Sequence, residues 1–315
     1  MSGISAIVPT VGRPQSLAKL LESLAQQDRK PDEVIVADCS ASREVCDLAG
    51  DPAWRHRGLQ VRYLHVAPAN AVGQRKAAIA AASGDRFLLL DDDVVLAPDC
   101  VQHLATALDA DPGVAATCAD VTNETWPEAT AAWTWYLRHV LRMHDGAWHG
   151  RVVGPLLRFG YPPRPLTKVP MEWFGTAHTL LRRSAYEAAG GFSEFFLHRS
   201  TINEDVDLSL KVARHGRIVM TPLARMQHFH HPGGRVSLVE SAEDDIHNRF
   251  LILTRTLGRS SSYAASQVAI FVLIETASNV VGAFRRFTFT GLAGRTAGRV
   301  RGLARITTLM LTGRA

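Results

Sequence analysis

The sequence predicts an α/β protein: a mostly parallel central sheet flanked by helices, followed by a helical C-terminal extension. Three observations predict it. The chain opens as an apolar run, a helical repeat and a second apolar run, the pattern of a β-α-β unit with a right-handed crossover. A later apolar run, Arg86–Leu90, leads directly into Asp91-Asp92-Asp93, and open α/β sheets bind ligands just beyond the carboxyl ends of their strands. Beyond residue 240 the strand signals stop and long helical segments take over.

The elements follow in order. Ile4–Val8 is a buried strand ending at Pro9. Pro14 suits the first turn of a helix, and Leu17, Leu20, Leu21 and Leu24 recur at helical spacing until Pro31. Val34–Ala37 is a second strand, closed by Asp38-Cys39-Ser40, and Leu59–Val66 alternates as a third. Val72–Ala82 is alanine-rich and helical, stopped by Ser83-Gly84-Asp85 before the strand that carries the aspartates. Pro98–Ala110 reads as a helix, Val114–Ala119 as a strand, and Glu128–Met143 as a helix bearing Trp133, Trp135 and Tyr136, for which core packing is favoured. Residues 150–170, rich in glycine and proline, read as a loop. Trp173–Leu181 reads as a strand, Ser184–Ala189 as a short helix ended by Gly190-Gly191, Glu204–His215 as a helix and Ile218–Thr221 as a strand. Asp245–Leu257 is amphipathic, and Tyr263–Phe284 is strongly apolar apart from Gln267, Glu275 and Asn279.

Hydrophobic content of 46% and charged content of 21% are those of a globular protein rather than a disordered one. The four cysteines form no C-x-x-C pair, so reduced thiols in a cytosolic protein are expected. The N-terminal residues show neither a basic stretch nor a long apolar one, so no signal peptide is read there. Charge is unevenly spread: seven arginines and no acid follow Glu275, so +7 of the formal +5 lies there and −2 elsewhere. Such a segment suits an anionic partner, membrane lipid or nucleic acid.

Three adjacent aspartates repel one another and raise each other's pKa unless a cation neutralises them. Hard oxygen ligands suit Mg²⁺ or Mn²⁺. Alternate residues of an extended segment share a face, so Asp91 and Asp93 converge while Asp92 points elsewhere. Taken alone, the triplet also fits a solvated acidic turn.

Several segments, in collinear order over roughly residues 4–235, resemble the inverting glycosyltransferases of family 2. They are Ala6-Ile7-Val8-Pro9-Thr10 with Arg13, Val34–Ser40, Gly73–Ala78 with Ala82–Asp85, Leu88–Asp93, Glu172–Ala177 with Arg182-Arg183 and Gly190-Gly191-Phe192, Glu204–Leu208, and His228–Gly234. The resemblance implies a GT-A (Rossmann-like) fold over residues 1–240, with a nucleotide-binding half near 1–120 and an acceptor half near 121–240. Residues 241–315 would be a helical, basic extension in peripheral contact with anionic membrane. It implies transfer of a sugar from a UDP- or dTDP-sugar to an acceptor hydroxyl of a glycan or lipid-linked acceptor, in cell-surface polysaccharide or glycolipid biosynthesis. The expected location is the cytoplasm or the inner face of the membrane.

By the same resemblance, Pro9, Thr10, Arg13, Asp38, Arg75, Asp91 and Asp92 line the nucleotide-sugar site. Asp93 is the direct ligand of Mn²⁺ or Mg²⁺, Asp91 contacts the metal or the ribose, and the resemblance adds His228 as a second ligand; His230 and His231 are alternatives for that position. Trp173, Gly175 and Glu204 face the acceptor. Asp205, paired with Glu204, is the general base. Residue by residue other readings stay open: Asp38 as a turn cap, Trp173 as core, Glu204-Asp205 as charges at a helix start. Residues 123–170 match no segment of the family. A metal-dependent nucleotidyltransferase is the alternative enzyme class, but Pro9–Pro14 holds one glycine where a phosphate-binding loop would need more. A nucleic-acid binder is disfavoured because no reader motif accompanies the arginines, and no nucleic-acid partner is expected.

Overall fold

The computed structural model describes residues 3–124, 128–153, 158–159, 167–198, 200–230, 237–287 and 289–312. The chain divides into two compact units, one formed by Met1–Thr125 with Pro163–Pro232, the other by Trp126–Pro162 with Gly233–Ala315.

The first unit is built on a nine-stranded sheet. Its strands are β1 (Ile4–Thr10), β2 (Glu33–Asp38), β3 (Val61–His65), β4 (Arg86–Leu90), β5 (Val94–Leu96), β6 (Val114–Val121), β9 (Val169–Met171), β10 (His178–Arg182) and β11 (Arg217–His228). Its helices are α1 (Pro14–Ala25), α2 (Glu44–Ala49), α3 (Pro52–His56), α4 (Ala71–Ala81), α5 (Cys100–Asp109), α7 (Arg183–Ala188) and α8 (Glu204–Val212). The strand order is β3-β2-β1-β4-β10-β6-β11-β5, with β9 also on β11. The β3-β2-β1-β4 half is parallel, and β10, β5 and β9 bring antiparallel pairing into the other half. Parallel strands buried on both faces need continuous apolar runs, and β1, β2 and β4 are buried along their whole length. Leu17, Leu20, Leu21 and Leu24 of α1 and Leu104 and Leu108 of α5 pack in one core with Val34, Val36, Leu88 and Leu90. Each such fully buried side chain contributes about 1.5–3 kcal/mol.

The strand expected over Trp173–Leu181 begins only at His178. Gly175 is the reason: its carbonyl accepts the backbone N–H of His178 and the hydroxyl of Thr179 at 2.8 Å, which turns residues 175–178 back on themselves. The strand expected over Ile218–Thr221 runs on to His228, crossing register irregularities between Thr221 and Arg225. Of the loop expected over 150–170, residues 154–157 and 160–166 lie outside the described residues.

The second unit contains α6 (Ala131–Trp135), which continues as a π-helical turn over Tyr136–Val140, a short pair β7 (Val152–Val153) and β8 (Arg158–Phe159), and three longer helices. These are α9 (Leu238–Leu251), α10 (Ser261–Arg286) and α11 (Leu292–Thr312). Helix α9 starts earlier than its amphipathic pattern suggests because Ser237 and Glu240 form a capping box. Trp133 and Tyr136 are buried as expected, whereas Trp135 is 60% exposed. Helices α9 and α11 approach closely through glycines: a Cβ on Gly298 would sit 2.2 Å from the Val239 carbonyl oxygen, and one on Gly302 2.8 Å from Ile246 Cβ. The four cysteines are unpaired.

Candidate active site

The site forms where β1, β2 and β4 end, all within the first unit. At the β1 and β2 ends Thr10 lies in register with Asp38. Gln74 of α4 clasps both strands, its amide donating to the carbonyls of Thr10 and Ala37 at 2.7 Å. Asp38 is fully buried and its oxygens accept from the Ser40 N–H at 2.9 Å, the Ser40 hydroxyl, and the Tyr63 hydroxyl at 3.1 Å. Burial, and then Asp38, push the Tyr63 phenol up to about 12. A capping role for Asp38 is therefore present in the structure, whatever else it contacts.

The three aspartates diverge across the turn that joins β4 to β5. Asp92 turns inward, accepting from Thr10 Oγ1 at 2.6 Å and Arg13 Nη1 at 3.2 Å. Burial raises its pKa despite those two partners. Asp91 is partly exposed and meets Arg75 Nη2. Asp93 lies 3.0 Å from His228 Nε2. That meeting follows from strand pairing: Val94 is in register with His228, and the Phe229 N–H donates to the Asp93 carbonyl at 2.9 Å. One ligand atom from each of Asp91, Asp93 and His228 falls within 4.8 Å of the others. Burial disfavours a charged His228 ring, but the carboxylates of Asp93 and Glu124 outweigh it and lift the ring to about 10. The donor set thus attracts a cation strongly enough to hold a proton where a metal would sit. Two carboxylates and one imidazole are chemically a fit for a divalent ion, with manganese suited better than magnesium by the nitrogen ligand.

Arg75 joins this cluster to the second acidic pair. It is buried, with Nη1 2.9 Å from Glu204 Oε1 and Nη2 on Asp91, and its Nε has no hydrogen-bond partner among the described residues. Glu204 also accepts from Thr176 Oγ1 at 2.9 Å. Glu204 and Asp205 stand at the start of α8, where the helix dipole favours carboxylates. Burial drives both pKa values above the usual carboxylate range, that of Glu204 further because Asp205 adds to it. Asp205 is the more exposed of the two.

The acceptor-side residues divide. Gly175 sits against His178, whose Nε2 would lie 2.7 Å from a Cβ there, so no side chain fits. Trp173 is only 3% exposed and offers little ring face to a ligand. His230 is drawn not to the aspartates but to Glu124, at 2.6 Å, and His231 lies outside the described residues. Sequence reasoning missed Gln74 and Thr176, although both stand inside recognised segments, and Glu124, which stands in a stretch without a recognised match.

Residues 5–161 match the family model described as Glycosyl transferase family 2. Among curated proteins, the chain is 38% identical over 133 residues to an N-acetylglucosaminyltransferase of Bradyrhizobium diazoefficiens, covering 39% of this chain and 26% of that one. The chain thus spans about a quarter of the length of that relative. Among solved structures, a mannosyltransferase from Pyrobaculum calidifontis in complex with GDP-Man and Mn²⁺ superposes with a TM-score of 0.57 at 15% identity, over 100% of this chain and 88% of that one. S. aureus TarS 1–349 in complex with UDP-GlcNAc gives 0.54 at 18% identity, over 98% and 83%. At these identities the structural likeness speaks for the fold.

Proposed function

Since this chain belongs to glycosyl transferase family 2 and has the GT-A fold, we propose that it transfers a sugar from a UDP- or dTDP-sugar to an acceptor hydroxyl of a cell-surface glycan or glycolipid. The observation that carries this reading is the convergence of Asp91, Asp93 and His228 on one point, tied through Arg75 to Glu204 beside Asp205. Relatives named N-acetylglucosaminyltransferase make UDP-N-acetylglucosamine the first donor to try. The nucleotidyltransferase alternative is not favoured by the family match.

Asp91, Asp93 and His228 would hold a divalent cation, Mn²⁺ or Mg²⁺, which when bound supplies Lewis-acid neutralisation of the leaving diphosphate. Thr10, Arg13 and Asp92 brace the floor of the donor site at the end of β1, with Pro9 shaping the strand's exit. Arg75 fixes Asp91 and Glu204 relative to each other. Asp205, less tied down and with its proton affinity raised towards neutrality, takes the proton from the attacking hydroxyl. Displacement is direct, with inversion at the anomeric carbon. Glu204, engaged by Thr176 and Arg75, holds its neighbour in place.

The second unit supports peripheral membrane contact. Helix α10 is long and apolar enough to cross a bilayer, with mean hydropathy 1.6 over its most apolar 18 residues. Glu275, however, receives Trp133 Nε1 at 2.6 Å and lies 3.6 Å from Arg299, so its charge is used inside the unit. Interfacial contact through exposed aromatics and arginines fits these features better than spanning does. The catalytic reading is tested by following nucleotide release from UDP- and dTDP-sugars with and without Mn²⁺.

A further inference from the structure

We propose that Glu124 is a positioning residue of the cation site: its carboxylate holds His228 from behind, at Nδ1, so that Nε2 is presented to Asp91 and Asp93. The inference rests on the metal-site reading above.

The geometry begins with backbone. Residues 122–124 are stitched to the end of β11. The Thr122 N–H and hydroxyl both donate to the Met226 carbonyl, at 2.8 and 3.0 Å. Asn123 and His228 then exchange a reciprocal pair: the His228 N–H donates to Asn123 Oδ1 at 2.9 Å, and Asn123 Nδ2 donates to the His228 carbonyl at 2.8 Å. This clamp leaves Glu124 beside the His228 ring, with Oε1 3.2 Å from Nδ1. On the opposite edge of the ring Nε2 is 3.0 Å from Asp93. The two nitrogens of one imidazole therefore lie within ion-pair distance of two different carboxylates, the Glu124 contact being one of charge and proximity rather than an aligned hydrogen bond.

A neutral imidazole donates from one nitrogen and accepts, or ligates, through the other. A carboxylate at Nδ1 stabilises the tautomer with its proton there and leaves the Nε2 lone pair for a cation. It also makes that lone pair more basic. His230 serves the same oxygen. Its backbone is left-handed, with φ 43°, an uncommon conformation for a non-glycine residue, and its Nε2 lies 2.6 Å from Glu124 Oε1. His230 thereby contacts the oxygen that faces His228, while the backbone clamp at Thr122 and Asn123 sets where that carboxylate stands. Glu124, His228 and His230 also bring ligand atoms within 4.8 Å of one another, so direct ligation by Glu124 and His230 is the competing arrangement.

The test measures Mn²⁺ binding to the full chain, with and without UDP, by electron paramagnetic resonance, and reads the imidazole nitrogen coupling to the bound ion. Wild type should bind Mn²⁺ with one coupled imidazole. Glu124→Gln and Glu124→Ala should each raise the Mn²⁺ dissociation constant about 10–100-fold and weaken that coupling, the usual cost of losing an outer carboxylate. His230→Ala should keep the coupling. Unchanged affinity and coupling in both Glu124 variants would overturn the inference, even if the metal-free protein melted earlier, because a purely structural role predicts that result. Loss of the coupling in His230→Ala would overturn it in favour of direct ligation by His230. These outcomes stay separable from failure of the parent reading: wild type that binds no Mn²⁺ defeats the metal site itself, whereas binding that Asp93→Ala abolishes and both Glu124 variants retain defeats only the role given to Glu124.

Discussion

Asp205 and Glu204 are neighbours in sequence whose surroundings separate their tasks. Glu204 is held by Thr176 and Arg75, while Asp205, the less buried residue of the two, accepts the Val206 N–H at 2.8 Å at the same helix start. A general base must reach its substrate and have a proton affinity not far below neutrality, and Asp205 meets both conditions better. Asp205→Asn is therefore expected to lower kcat by about 10²–10⁴-fold, the usual contribution of a positioned base, with donor affinity little changed. Steady-state kinetics with calorimetric donor binding check this, and a near-normal kcat would remove Asp205 from the role. Glu204→Gln should disturb donor binding as well, since it loosens Arg75 and through it Asp91. At this scale the sequence was legible where chemistry leaves a mark. Three adjacent acids, an Glu-Asp pair and a histidine cluster are costly arrangements that draw the eye. Gln74 and Thr176 left no such mark, because a neutral side chain that binds two carbonyls or one carboxylate looks like any other. Glu124 was missed for a different reason: its partner is about a hundred residues away, and only strand pairing reveals them as neighbours.

Elements were legible in proportion to their burial. β1, β2 and β4 are fully buried, mostly apolar strands and were read with nearly correct ends. β5 is three residues long, directly after an acidic triplet, and was not read at all. β10 was read too long because Trp173 and Phe174 are apolar and buried without being strand; Gly175 decides that boundary. α11 is the instructive case. It lies in the extension expected to be helical and basic, and it is a helix of 21 residues whose Gly298 and Gly302 let it approach α9. Gly298→Ala should therefore destabilise the protein, by about 1–3 kcal/mol as overpacked substitutions do. Gly294→Ala, whose Cβ would meet Leu238 and Val239 only at 3.7 Å, should be neutral or gain the roughly 0.5–1 kcal/mol by which alanine exceeds glycine in a helix. Denaturant unfolding of the two variants checks the contrast; equal effects would refute the close-packing account.

Across the whole molecule, charge and exposed apolar surface are distributed unequally. Among the described residues, the large apolar side chains exposed in the first unit are Val11, Leu223 and Phe229. The second unit exposes many more, including Trp135, Leu273, Phe284, Phe287, Phe289 and Leu311, on the part of the chain that carries the excess of arginine. Arginine near an anionic bilayer contributes about 1 kcal/mol per residue, and the attraction weakens with salt. The full chain should co-sediment with phosphatidylglycerol-containing vesicles at low ionic strength, less so as salt rises, and weakly with phosphatidylcholine alone. A protein that stays in the supernatant with anionic vesicles at low salt would contradict peripheral binding. The catalytic unit is independent of that outcome, because every residue assigned to chemistry lies in the first unit. In that unit, we propose, Asp91, Asp93 and His228 hold a divalent cation for sugar transfer from a nucleotide donor. The most direct measurement is the rate of nucleotide release from UDP-N-acetylglucosamine and other UDP- and dTDP-sugars, in Mn²⁺ and in chelator, for wild type and Asp93→Ala. Release from at least one donor is expected to require Mn²⁺ and to be lost in the variant. No release from any donor, or release at equal rates in chelator and in Asp93→Ala, would contradict it.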